Sequence, residues 1–294
     1  MAKVVVLAGP TAAGKTEAAI AVARRYEAVI VSADAMQVYR GMDIGTGKAT
    51  QEERAAAPHF GIDLVDPDQP FDAASFVALA DAVCAAHPRV VVAGGTTLYL
   101  QALIRGLVPT PPVDLALRAE LDALADPHAA LAEVDPALAR RLHPNDRVRI
   151  VRGLEVFRAS GVRLSELHDA HARAPDRLEV VGRWLDRDDL DVRIARRLQR
   201  MWDAGYVDEV RRLLDRGYDR SLKPLGSLGY RHLCDHVLDG LPPHEAHQRT
   251  LRDTLGFARK QRTWMRSLGF PKVTDDGVAG ALAAAAEAWG NHVA

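Results

Sequence analysis

The chain has 294 residues, 48% hydrophobic and 26% charged, with a formal net charge of −1. That length allows one substantial core with a smaller lobe inserted into it, and no apolar run reaches the roughly 20 residues a membrane span needs. Charge is unevenly spread, residues 1–138 carrying −7 and residues 139–294 carrying +6, which suits either a polyanion gripped by the second half or solvated arginine-rich helices. Cys84 and Cys234 stand far apart in apolar stretches and read as core thiols of a reducing compartment. The expected location is the cytoplasm.

In chain order, Val4-Val5-Val6-Leu7 is a short continuous apolar run of the kind found in a strand buried on both faces. Similar runs recur at Ala28-Val29-Ile30-Val31, Ile62-Asp63-Leu64-Val65 and Arg89-Val90-Val91-Val92, separated by helical stretches such as residues 73–86. This alternation predicts an α/β core, a parallel sheet flanked by helices. From Asp114 to Arg173 strand signals give way to amphipathic helices broken at Pro127, Pro136 and Pro144, so residues 114–173 read as a helical insertion between core segments 1–113 and 174–294. Residues 178–185 predict a returning strand, 190–216 and 243–268 long helices, and 272–274 a last strand.

Gly9-Pro10-Thr11-Ala12-Ala13-Gly14-Lys15-Thr16 fits the G-x-x-x-x-G-K-T phosphate-binding loop, between a predicted strand and a predicted helix. Backbone N–H groups at a helix N-terminus cradle phosphate oxygens, Lys15 adds a full charge, and the Thr16 hydroxyl is placed to ligate Mg²⁺. P-loop nucleoside triphosphatases hold their metal with a strand-end acid. The run Val90-Val91-Val92-Ala93 ends instead in Gly94-Gly95-Thr96-Thr97, and the nearest such acid is Asp34, after a different strand. That weakens an ATPase reading and leaves open a transferase with a diphosphate substrate.

Three segments, residues 9–16, Ser32 to Thr46 and Gly94-Gly95-Thr96-Thr97-Leu98-Tyr99, together resemble the bacterial tRNA dimethylallyltransferase family. Asn145 to Phe157, Leu228-Gly229-Tyr230-Arg231 and Lys260 to Arg266 are similar to its later motifs, in matching order across nearly the whole chain. Ala13 and Ala35 stand where the family usually has serine. The resemblance implies a P-loop NTPase-like fold and alkyl transfer from dimethylallyl diphosphate to the N6 amine of the adenosine 3′ of the anticodon, with Mg²⁺. It implies Asp34 as general base, the alternative being a metal-holding acid, with Lys15 and the loop stabilising the leaving diphosphate. Thr96 either lines the reaction channel, with Arg118, or caps the following helix.

By the same resemblance the tRNA-facing residues are Asp34, Ala35, Met36 and Gln37; Thr96 and Arg118; Val148, Arg149, Ile150, Val151 and Arg152; Gly226, Ser227, Leu228, Gly229, Tyr230 and Arg231; and Arg259, Lys260, Gln261, Arg262, Thr263, Trp264, Met265 and Arg266. Gln37 could bond the adenine edge, and Trp264 or Tyr230 could stack a base or simply pack in the core. Arg149 and Arg152, three apart on a predicted helix, would share one face toward phosphate. The implied partners are the anticodon stem-loop of tRNA and dimethylallyl diphosphate, with no membrane, acting as a monomer. Rival readings are a small-molecule kinase, a prenyltransferase for free adenine nucleotides and a non-catalytic RNA-binding protein. The basic second half and the insertion favour tRNA over a free nucleotide.

Overall fold

The computed structural model describes residues 4–291. Six strands, β1 (Val4–Ala8), β2 (Val29–Ala33), β3 (His59–Phe60), β4 (Val90–Gly94), β5 (Val180–Leu185) and β6 (Lys272–Val273), form one sheet in the order β3-β2-β4-β1-β5-β6. All its pairings are parallel. Side chains alternate across a strand, so a strand covered on both faces must be apolar throughout. In β1, Val4, Val6 and Ala8 face a core with Phe76, Leu100 and Leu103, while Val5 and Leu7 face one with Val22, Tyr26 and Leu185.

Register carries this sheet to function. Gly94 of β4 pairs with Ala8 of β1 and with Ala33 of β2, so the carboxyl ends of three neighbouring strands are level. The loops leaving them, residues 9–14, 34–36 and 95–96, share the crevice where open α/β sheets bind ligands.

Two predicted elements differ. Residues 62–65 form no strand, because Gly61 at φ 81° and Asp63 at φ 55° turn the chain after β3, leaving a single bridge between Tyr39 and Val65. The predicted 190–216 helix is two, Leu190–Asp203 and Tyr206–Asp215, separated at Gly205, whose φ of 93° no continuous helix accommodates.

Backbone contacts divide the chain into two compact units, residues 4–104 with 177–291, and residues 105–176. The second is wider than the 114–173 span expected, because Val108 packs on its core and Thr110 and the Pro111 carbonyl both receive the Arg152 guanidinium. It consists of helices Leu115–Asp122, Pro127–Val134, Pro136–Arg141, Arg147–Ser160 and Leu164–Arg173. The Asp-Pro pairs start two of them: Asp126 and Asp135 cap the N-termini with their carboxylates, and proline follows at the first helical position. Buried Glu155 accepts the Asp114 N–H and both the Arg118 and Arg152 guanidiniums. Among the described residues no helix is long and apolar enough to cross a membrane.

Candidate active site

The helix Lys15–Tyr26 follows the phosphate-binding loop, with Gly14 at φ 91°, a conformation that costs glycine little. The Lys15 ammonium donates to the Pro10 carbonyl at 2.7 Å, folded back over its own loop. Burial, followed by the positive field of Arg197, lowers the Lys15 pKa to about 8, while Asp34 acts in the opposite direction. These three charges are therefore neighbours. The Thr16 hydroxyl has no protein partner among the described residues, leaving a hard oxygen available to a cation. No group of three or more His, Cys, Asp or Glu side chains suited to a metal exists among them, so a magnesium ion here fits only as Mg²⁺ usually binds, largely through water and substrate phosphate.

Asp34 begins the turn after β2. Its Oδ1 accepts the Met36 N–H at 2.8 Å, an Asx-turn that orients the carboxylate. Oδ2 has no hydrogen-bond partner among the described residues. Thr96 fixes the same turn from β4: its hydroxyl accepts the Ala35 N–H at 3.0 Å, and its N–H donates to the Ala33 carbonyl at 3.2 Å. The side chain thus ties the β2 and β4 loops together instead of capping the helix Thr97–Arg105, and its hydroxyl hydrogen is left to donate.

Buried Gln261 joins the phosphate-binding loop to the β4 loop. Its Oε1 accepts the Thr11 N–H at 3.0 Å and its Nε2 donates to the Gly95 carbonyl at 3.1 Å. Gln261, expected to face RNA, is instead an internal tie beneath the phosphate-binding loop. Gln37 is similarly engaged: its Oε1 accepts from the Ser32 hydroxyl at 2.8 Å, and its Nε2 reaches the Thr46 and Gly47 carbonyls at 3.4 and 3.3 Å. Both amide ends have internal partners, in place of the adenine contact expected.

An open cavity of about 1250 Å³ adjoins Lys15 and Thr16. Arg193, Arg196, Arg197 and Arg200 line it from the helix Leu190–Asp203, at the i, i+3, i+4, i+7 spacing that makes one helical face. Arg193 donates to the Ala12 carbonyl at 3.0 Å, and Arg197 to Thr11 Oγ1 and the Thr46 carbonyl at 3.5 and 3.4 Å. Burial pulls the Arg197 guanidinium below its usual range. Across the cavity, buried Lys48 meets Asp43, Asp63 and the Tyr39 carbonyl, each at 2.6 Å. Sequence reasoning singled out none of these arginines, although their spacing was readable once the helix was recognised.

Burial divides the residues expected to face tRNA. Tyr230 and Met265 are core residues, as are Ile150 and Val151 in the second unit, where they pack with Leu131 and Leu154. The Tyr230 hydroxyl donates to Glu209 at 2.6 Å, so it is not a stacking platform. Arg152 is turned inward to Glu155 and does not share an open face with Arg149, which is exposed and pairs with Asp146 at 2.9 Å. Arg231 pairs with Asp253, and Arg262 with Asp186 at 2.9 Å. Val148, Gly226, Arg259, Lys260, Thr263, Trp264 and Arg266 are exposed, and the Trp264 ring meets Phe257 edge-on.

Comparison with known proteins gives this site its context. A model of the family described as IPP transferase matches residues 37–268, and one described as Isopentenyl transferase matches residues 2–58. The chain is 44% identical to a tRNA dimethylallyltransferase of Geobacter sulfurreducens, covering 90% of this chain and 89% of the relative. It is 48% identical to one of an Anaeromyxobacter species, covering 90% of each. The full-length tRNA isopentenylpyrophosphate transferase of Bacillus halodurans superposes with a TM-score of 0.68 at 31% identity, over 98% of this chain and 99% of that one. A eukaryotic dimethylallyltransferase acting on tRNA shares the fold with a TM-score of 0.81 at 23% identity, over 94% of this chain and 74% of that one.

Proposed function

The chain belongs to the IPP transferase family of tRNA dimethylallyltransferases, and on that premise we propose that it moves a dimethylallyl group from dimethylallyl diphosphate to N6 of the adenosine 3′ of the anticodon. The N6 nitrogen attacks C1 of the prenyl group, the C1–O bond breaks, and diphosphate departs. The proton lost from N6 goes to Asp34. The observation that carries this reading is the Asp34 carboxylate, oriented through Oδ1 with Oδ2 free of protein partners, beside Lys15 at the level strand ends. An adenine amine is a weak nucleophile, so a positioned base shortens the step by removing its proton as the C–N bond forms.

On the diphosphate side, charge grows on the leaving oxygens. The loop amides, Lys15 and Arg197 would oppose that charge, a stabilisation strongest where water is excluded. The Thr96 hydroxyl, its oxygen already accepting from Ala35, has a hydrogen to offer the departing oxygen. Thr16 would hold Mg²⁺, which when bound neutralises phosphate charge.

The acceptor must leave its stack to present N6 to a carbon held within the protein. Exposed Arg149, Arg259, Lys260 and Arg266 would serve phosphate contacts, with Trp264 available as a stacking face. Incubation with prenyl-labelled dimethylallyl diphosphate and unmodified tRNA tests the assignment. Label should appear on the adenosine 3′ of the anticodon, whereas transfer to free adenine nucleotide without tRNA, or phosphoryl transfer from ATP, would overturn it.

A further inference from the structure

Glu209 lies in the helix Tyr206–Asp215 and is 2% exposed, yet no cation pairs with it among the described residues. Four donors compensate its charge. One carboxylate oxygen accepts the Asp43 and Ile44 N–H groups at 2.8 and 2.7 Å; the other accepts the Gly45 N–H at 3.1 Å and the Tyr230 hydroxyl at 2.6 Å. Successive backbone N–H groups turned to one point form an anion-binding concavity, and here the anion is the protein's own. Gly45 lies directly under the Tyr206 ring, where a Cβ would overlap the ring atoms. The loop is therefore clamped on two sides, by charge and by packing.

What this loop carries next gives the clamp a purpose. The Thr46 carbonyl, one residue beyond the last clamped amide, receives both Arg197 Nη2 and Gln37 Nε2, each at 3.4 Å. Arg197 also reaches Thr11 Oγ1 in the phosphate-binding loop. The chain of contacts therefore runs from Glu209 through residues 43–46 to the half-buried guanidinium of Arg197, whose field acts on Lys15. Packing alone would not call for a carboxylate on a helix whose Tyr206, Val210 and Leu213 belong to an apolar cluster, since burying a charge is costly unless hydrogen bonds compensate it.

We propose that Glu209 is a positioning residue for diphosphate binding, acting through Arg197 by fixing the loop 43–46. The proposal rests on the reading of the phosphate-binding loop as the donor site. Its test is a double-variant cycle on inorganic diphosphate binding, measured by calorimetry with Glu209→Gln, Arg197→Gln and both together. Gln keeps the shape but turns an NH₂ toward amides that need an acceptor. Expected is a loss of about tenfold or more for Glu209→Gln alone, and less than about threefold when Arg197 is already replaced. An equal loss in both backgrounds, or none in either, would overturn the proposal.

Amide hydrogen exchange gives a second readout, with Asp43, Ile44 and Gly45 expected to exchange faster in Glu209→Gln; unchanged protection would also count against it. If Glu209→Gln does not fold, Tyr230→Phe, which removes one donor and keeps the carboxylate, enters the same cycle. A smaller loss that vanishes without Arg197 supports the clamp, and its persistence refutes it. Because the probe is diphosphate alone, failure of the intact protein to prenylate tRNA would count against the proposed reaction and leave the clamp standing.

Discussion

Replacing Arg197 with glutamine removes the charge that most directly links the donor site to its surrounding loops. The half-buried guanidinium reaches Thr11 and Thr46 and its field acts on Lys15, so its contacts to a bound diphosphate would be charge-assisted and only partly screened. Such hydrogen bonds are worth about 1.5–3 kcal/mol, which corresponds to about a 10- to 150-fold rise in the donor KM. A second effect has a definite sign. Arg197 is one cause of the lowered Lys15 pKa of about 8, so its removal moves that pKa up. In the unaltered protein, kcat/KM for the donor should fall as pH rises through about 8, because Lys15 loses the proton that makes it a phosphate ligand. In Arg197→Gln the falling limb should lie at higher pH, on a lower plateau. Initial rates at saturating tRNA, with donor varied across this pH range, give both quantities. An unchanged donor KM together with an unmoved limb would refute the placement of Arg197 in the diphosphate site.

Lys15→Ala should raise the donor KM and lower kcat together, since its charge acts on ground-state phosphate and leaving group alike; unaltered diphosphate binding by calorimetry would remove it from the site. Arg149→Gln should flatten the log–log salt dependence of tRNA binding by roughly 0.7 to 0.9, and a slope equal to the parent's would return Arg149 to a solvated helix face. The hydrogen bond from His232, with those of Arg231 and Arg252, holds Asp253 at about 2, so Asp253 contributes stability above the ordinary carboxylate pKa that is lost as pH falls from about 4 toward 2. Urea unfolding should therefore show a smaller loss of stability on acidification in Asp253→Asn than in the parent, and parallel pH curves would contradict this.

The phosphate-binding loop and the strands beside it were legible because each is a local pattern. A continuous apolar run, a glycine-bearing loop and Lys15-Thr16 lie within sixteen residues, and the sheet aligns their counterparts at Asp34 and Thr96. Residues 62–65 misled because an apolar run is blind to φ, and Gly61 together with Asp63, which pairs with Lys48 and Arg54, turns the chain out of the sheet. Roles decided by long-range partners were also hidden. Gln261 sits 250 residues from Thr11, and Glu209 is 166 from Asp43; in sequence each is an ordinary polar residue on a helix. Arg149 and Arg152 share a helix but not a fate, because Glu155 draws only the latter inward.

The most direct measurement is the single-turnover rate of prenyl transfer by Asp34→Asn with saturating donor and tRNA. Asparagine keeps an oxygen for the Met36 N–H but cannot take the N6 proton. Tightly preserved binding of both substrates, with a rate lower by about 10²- to 10⁴-fold, is the expected result for a positioned base. A rate within about threefold of the unaltered protein would contradict proton transfer to Asp34.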